Sequence, residues 1–188
     1  MGAAKNQEPF AVFSVESNRL FSAQKARKTM TKPSAIVRNL EDSPDWLDQR
    51  LVAAYLRTKY WTEAIQLDDR GYCFEVGQPH PTLFDNQLEH HGFEHYAFIT
   101  AWNPTSRALD QWHNRWRNLN LEFEIQPHCR LLRRGLGVAH EEHSDWPPEE
   151  SFLALDIPLE KAVELGRQFG QNALVCWQKG GLPELWWL

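Results

Sequence analysis

Asn103, Glu150 and Gln171 are amide and carboxylate side chains placed where apolar segments give way to loops. The run Phe98-Ile99-Thr100-Ala101-Trp102 is apolar and β-branched, ends at Asn103 and is stopped by Pro104. A buried strand that delivers a side chain to the rim of a sheet has this form. Pro104 withholds an N–H and biases Asn103 away from the α region, which restricts the turn. Amides carry both donors and acceptors, so a group of them can read a polar ligand edge without net charge. The competing reading is local: Asn and Gln at such positions cap turns and satisfy loop backbone. Asn114 and Arg115 follow on the next helix. Asn114 is rotated about 200° from Trp112, away from that helix's apolar stripe, and Arg107 or Arg115 can reach an anion.

The remaining constellations exclude more than they support. His140-Glu141-Glu142-His143-Ser144-Asp145 lacks the H-E-x-x-H spacing that sets two His one turn apart. Beside Pro147 and Pro148 it reads as a loop, with His143 a candidate pocket wall rather than a metal ligand. Ser151 has no G-x-S-x-G elbow, and strand alternation would split His128 and Cys129 onto opposite faces. His91 and His95 straddle Gly92 at a helix end. Glu149 and Glu150 can supply acid–base chemistry, yet after Pro-Pro a surface carboxylate pair is the commoner arrangement. No Gly-rich loop fits a nucleotide or dinucleotide fingerprint. No metal site, cofactor or enzymatic activity is therefore assigned.

The elements that position these residues follow from periodicity. Ser43, Pro44 and Asp45 predict a helix start, followed by Leu47, Leu51, Ala54 and Tyr55 at helical spacing. Trp61, Ile65 and Leu67 predict a strand, turned by Asp68-Asp69-Arg70-Gly71 into Tyr72, Phe74 and Val76. Leu83, Phe84 and Leu88 suggest a short helix stopped by Gly92, and the central strand Tyr96–Trp102 follows. Leu109, Trp112, Trp116 and Leu119 form one apolar stripe on the strongest helix, expected to be buried. Leu121–Ile125 and Cys129–Leu132 read as strands, with a bend at Gly135-Leu136-Gly137. Ser151–Ile157 is a strand, and Pro158 opens a helix ended by Gly170. Asn172–Trp177 is a further strand, with Leu182–Leu188 as a final edge strand. The pattern predicts an α+β domain over 41–188, a mixed sheet with helices mainly on one face.

Residues 1–40 look like an appendage. They carry seven Lys/Arg against two Glu, about +5, leaving about −10 for residues 41–188 from the total of −5. Glu8 and Glu16 argue against a transit peptide, and Met30 is an alternative start. The acidic body makes nucleic-acid binding a poor match, limited to the tail and the Arg130–Arg134 strand. Three dispersed Cys, at 73, 129 and 176, argue for reduced thiols in a cytoplasmic setting. No run reaches the length of a membrane span.

Three stretches together carry a resemblance: Thr100-Ala101-Trp102-Asn103-Pro104, Asn114-Arg115, and Glu149-Glu150-Ser151-Phe152 with Phe169-Gly170-Gln171-Asn172-Ala173. The chain resembles, over about residues 52–187, the bacterial domain-of-unknown-function family numbered 3293. That resemblance implies a compact cytoplasmic domain and no particular reaction. The leading expectation is a pocket at the central strand ends that binds a small polar, conceivably nucleotide-like, ligand. Its rim would hold Asn103, Glu150 and Gln171, with Asn114, Arg115 and His143 nearby. The alternative is a protein-interaction module using exposed Trp, especially Trp146, Trp186 and Trp187.

Overall fold

A computed structural model describes residues 32–66, 70–140 and 146–188. Within them one sheet of eight strands runs in the order β1-β8-β7-β4-β6-β5-β2-β3. The strands are β1 Ala35–Val37, β2 Lys59–Thr62, β3 Tyr72–Phe74, β4 His95–Ile99, β5 Leu131–Val138, β6 Glu149–Leu155, β7 Ala173–Gln178 and β8 Glu184–Trp187. The helices are α1 Gln49–Leu56, α2 Thr82–His90, α3 Gln111–Ile125 and α4 Leu159–Gln168, with short 3₁₀ turns at Pro104–Ser106 and Gln126–His128. The fold is α+β. Every strand pair is antiparallel, so the expected mixed sheet is corrected.

The central part runs β4-α3-β5-β6-α4-β7 with spatial order β7-β4-β6-β5. This is the split β-α-β-β-α-β arrangement of ferredoxin-like sheets. β2 and β3 extend it at one side, β8 and β1 at the other. Strand β1 lies inside the segment expected as a tail: Ala35 pairs with Trp187 and Val37 with Leu185. Residues 35–37 are thus part of the sheet, and β8 is not an edge. Residues 1–31 lie outside the described residues.

Strand alternation sends side chains to two cores, one on each face, which overturns the expectation of helices mainly on one face. Tyr96, Phe98, Leu153, Leu155, Val175 and Trp177 pack with Val52 of α1 and with Phe84 and Leu88 of α2. Ala97, Ile99, Phe152, Ala154, Leu174 and Cys176 pack with Leu121 and Ile125 of α3 and with Ala162, Val163 and Leu165 of α4. Much of the aromatic richness is used on the first face. There Phe74 and Tyr96 approach at 5.4 Å between ring centroids. His80 joins the Tyr96 hydroxyl at 2.8 Å and Asp85 at 2.7 Å, and burial lowers its pKa.

Three local expectations shift. α1 is capped by Asp48, whose carboxylate accepts from the Arg50 and Leu51 N–H groups, rather than starting at Ser43. Residues 121–125 continue helix α3 instead of forming a strand. Gly135 and Gly137 sit inside β5, not at a bend. A Cβ at Gly135 would lie 2.5 Å from Phe98 Cε2 and 2.8 Å from the Trp61 carbonyl oxygen. Phe98 is itself wedged against Tyr60 and Phe74, so neither neighbour can yield. Gly135→Ala is expected to cost about 1–3 kcal/mol, the range for overpacking a core. A urea midpoint unchanged from the parent protein would contradict that crowding.

Candidate functional site

At the rim where β4 ends and β6 and β7 begin, a cavity of about 400 Å³ opens between α1 and the first face of the sheet. Its apolar wall includes Leu51, Ala54 and Tyr55 of α1, Tyr60 of β2, Phe98 of β4, and Val175 and Leu185. Its polar groups are Thr58, Thr100, Asn103, Ser106, Glu149, Ser151 and Gln171. The described lining contains one carboxylate and no Lys, Arg or His. The size is ordinary for a small-molecule site.

The loop after β4 is held in unusual backbone conformations. Asn103, Thr105 and Ser106 have φ of 43°, 53° and 54°, a left-handed run without glycine. For a β-branched residue such as Thr105 this is strained, by about 1–3 kcal/mol per residue of this kind. Contacts from the loop before β7 hold it. The Thr105 N–H donates to the Gly170 carbonyl at 2.7 Å, Gln171 Nε2 to the Trp102 carbonyl at 2.9 Å, and Asn172 Nδ2 to Ser106 Oγ at 2.7 Å. Gly170 has φ 71°, and a Cβ there would lie 3.1 Å from Pro104 Cβ.

Asn103 is committed within the protein. Its Oδ1 accepts from the Leu109 N–H and from Asn114 Nδ2, and its Nδ2 donates to Glu149 Oε1 at 2.8 Å. Asn114 Oδ1 in turn accepts from the Asn103 N–H at 2.8 Å. The effect is to place the Glu149 carboxyl, which also accepts from Trp146 Nε1 at 3.0 Å on the same oxygen. Among the described residues no donor meets Oε2. Burial raises the Glu149 pKa, and the Asn103 and Trp146 hydrogen bonds oppose that shift only partly. Tyr55 stands near Glu149, and burial raises its pKa too, opposed by hydrogen bonding to Ser106 and Asn172. A half-buried carboxyl whose pKa desolvation raises, set in a cleft, is a recognised mark of functional sites.

The expected site residues therefore separate. Asn103 and Gln171 line this cavity. Asn114 is buried beneath Asn103, with its amide satisfied by Asn103 and the Leu109 carbonyl, so it supports the rim and does not line this cavity. Glu150 lies on the other face, where its Oε1 accepts from Arg115 Nε at 3.2 Å. That pair borders a second groove of about 460 Å³ with Asn118, Glu122 and Arg134. Arg107 lines neither cavity. His143 lies outside the described residues.

Glu149 is the residue the sequence reading passed over in favour of its neighbour. On β6, Leu153 and Leu155 face α1 whereas Phe152 and Ala154 face α3. Counting back by twos assigns Glu149 to the cavity and Glu150 to the opposite face. That signal was present in the sequence, but it needed the faces of β6 to be known.

Of the tryptophans singled out as an exposed set, Trp186 is buried. Trp187 is half-buried and meets Tyr55 edge-on at 5.9 Å, whereas Trp146 is exposed and borders the cavity. Among the described residues, no group of three or more His, Cys, Asp or Glu side chains is placed to hold a metal ion. No described helix is long and apolar enough to cross a membrane. All three cysteines are free thiols.

Fold and site together define an α+β protein with a carboxyl-bearing cavity between α1 and the rim of an antiparallel sheet. Residues 99–174 match the family described as "Protein of unknown function (DUF3293)", a shorter span than the resemblance read over 52–187. The matched stretch contains the strained rim loop, Asn114, Glu149 and Gln171, but not α1 or β2, which supply Tyr55 and Tyr60. No curated protein and no solved structure matches the chain.

Proposed function

We propose that this protein binds a small molecule in the cavity between α1 and the sheet rim, in a cytoplasmic setting. The ligand has an apolar or aromatic body and a hydrogen-bond-donating head, an amine or amide N–H, that meets Glu149. The observation that carries this reading is the Glu149 carboxyl, desolvated at the wall of a largely apolar cavity and held by Asn103 and Trp146 on one oxygen. A desolvated carboxyl gains most from a donor or a cation delivered to its remaining oxygen. Tyr55, Tyr60 and Trp146 add faces suited to a cationic or aromatic ligand. A nucleotide phosphate suits the described lining poorly, because its charge would meet a carboxyl and no cation.

The test is a thermal-shift screen of matched pairs, in which aromatic amines are compared with the corresponding carboxylates and phosphates. A ligand selective for the folded state raises the melting temperature in proportion to its occupancy. Amines are expected to stabilise and their acidic counterparts not to. Stabilisation by phosphates and not by amines would overturn the proposed ligand class. Three reduced thiols and an acidic body are the support for the cytoplasmic setting and against a nucleic-acid role.

A further inference from the structure

Helix α3 carries its large apolar side chains on the outside. Trp112, Trp116, Leu119 and Phe123 are 74%, 59%, 62% and 78% exposed, which corrects the expectation that this stripe is core. Their 4-3-4 spacing is that of a two-helix seam, and at 100° per residue all four fall within an arc of about 60°. The seam is flanked by charges of opposite sign on one side: Arg115 near its start and Glu122 near its end.

From this we infer that α3 is a self-association face, occupied by α3 of a second copy running antiparallel. The register is self-complementary. Setting Trp116 opposite Leu119 of the second copy also sets Trp112 opposite Phe123. It brings Arg115 alongside Glu122 of the second copy, twice by symmetry, as a two-fold interface requires. A parallel pairing would instead set this flank against the opposite flank of the second helix, and the Arg115–Glu122 exchange would be lost. Arg115 now pairs with Glu150, but both side chains are about half exposed, so little is lost when it turns outward.

The area sets the strength. Aromatic side chains present about 150–250 Å² each, so the exposed part of this stripe is on the order of 400 Å² per copy. That is within the ~300–600 Å² of the largest apolar patch on a typical monomer, a patch that is often functional. Two copies bury about 800 Å² from the stripe alone, and the flanks bring the total toward the lower end of the ~1,200–2,000 Å² of specific interfaces. A concentration-dependent dimer follows, rather than a permanent one.

Sedimentation of the full chain over two decades of concentration tests this. The expected result is a monomer–dimer equilibrium that Trp116→Glu shifts at least tenfold toward monomer while circular dichroism stays unchanged. Arg115→Glu and Glu122→Arg should each weaken the dimer by roughly 3–10-fold, the scale of a solvent-exposed ion pair made twice across the two-fold axis. The double variant Arg115→Glu/Glu122→Arg should recover most of that loss. A full chain that stays monomeric, or a dimer indifferent to Trp116→Glu, overturns the face. A double variant no tighter than the single ones overturns the antiparallel register.

Discussion

Replacing Asn118 by Leu is expected to lower the unfolding free energy by about 2–3 kcal/mol, although Leu is the better helix former and the more apolar residue. Asn118 is 3% exposed. Its Oδ1 accepts from the Ala101 N–H at 2.8 Å, and its Nδ2 donates to the Glu150 carbonyl at 2.6 Å. Both backbone groups lie where β4 and β6 leave their ladder, so no neighbouring strand supplies a partner. Leucine would leave the Ala101 N–H unpaired, at about 1–3 kcal/mol, and would cost the Glu150 carbonyl one of its two hydrogen bonds, at about 0.5–1.5 kcal/mol, leaving it Thr100 Oγ1 at 2.7 Å. A thermal midpoint lower by roughly 10 °C is the corresponding readout for a chain of this size. Trp116→Ser, on the outer side of the same helix, should change monomer stability by no more than about 0.5 kcal/mol. The comparison belongs at dilute protein, since any self-association would raise the apparent stability of the parent alone. A loss below about 1 kcal/mol for Asn118→Leu would show that water satisfies those groups.

The same helix shows what the sequence could and could not convey. Its period was legible, but the side it buries was not. Hydrophobic periodicity assigns the apolar stripe to the core, and here that rule picks the wrong side. α3 crosses the sheet where strands end, and the exposed backbone there demands donors and acceptors rather than methyl groups. Asn114 and Asn118 meet that demand, and only the last turns, at Leu121 and Ile125, pack apolar side chains. Elsewhere alternation placed β4, β6 and β7 within a few residues, because both faces of these strands are covered and their runs are nearly continuous. The direction of pairing was not visible locally. Antiparallel order arises from how α3 and α4 cross over, which no short window encodes. Asn103 and Gln171 were legible as rim residues by their position before Pro104 and after Gly170. Their role was not: both amides are used to clamp the rim, and Asn103 also holds the Glu149 carboxyl.

Glu149→Gln is expected to stabilise the ligand-free protein at neutral pH and to remove the response to an amine ligand. Burial raises the Glu149 pKa in the folded state above its unfolded value. The folded state therefore holds the proton more tightly than the unfolded one. The stability this group contributes is fully present below the unfolded carboxylate range and is lost as pH rises through the raised folded value. At pH above that raised value the parent protein bears the cost of a desolvated carboxylate. Glutamine keeps an oxygen to accept from Asn103 Nδ2 and Trp146 Nε1, and it carries no charge. A gain of about 1 kcal/mol, or 2–4 °C, is expected at neutral pH, within the range of substitutions that relieve functional sites of unfavourable groups. The advantage should shrink toward acid pH as the parent carboxyl becomes neutral too. Ligand binding has the opposite sign. An amine pairs with the carboxylate, so its stabilising effect on the parent grows as pH rises through the raised Glu149 value. At a ligand concentration of about 100 Kd that effect is about 2.7 kcal/mol, and Glu149→Gln should abolish most of it. A Gln variant that gains stability and still responds fully to amines would leave the carboxyl a structural burden and assign recognition to the aromatic wall alone.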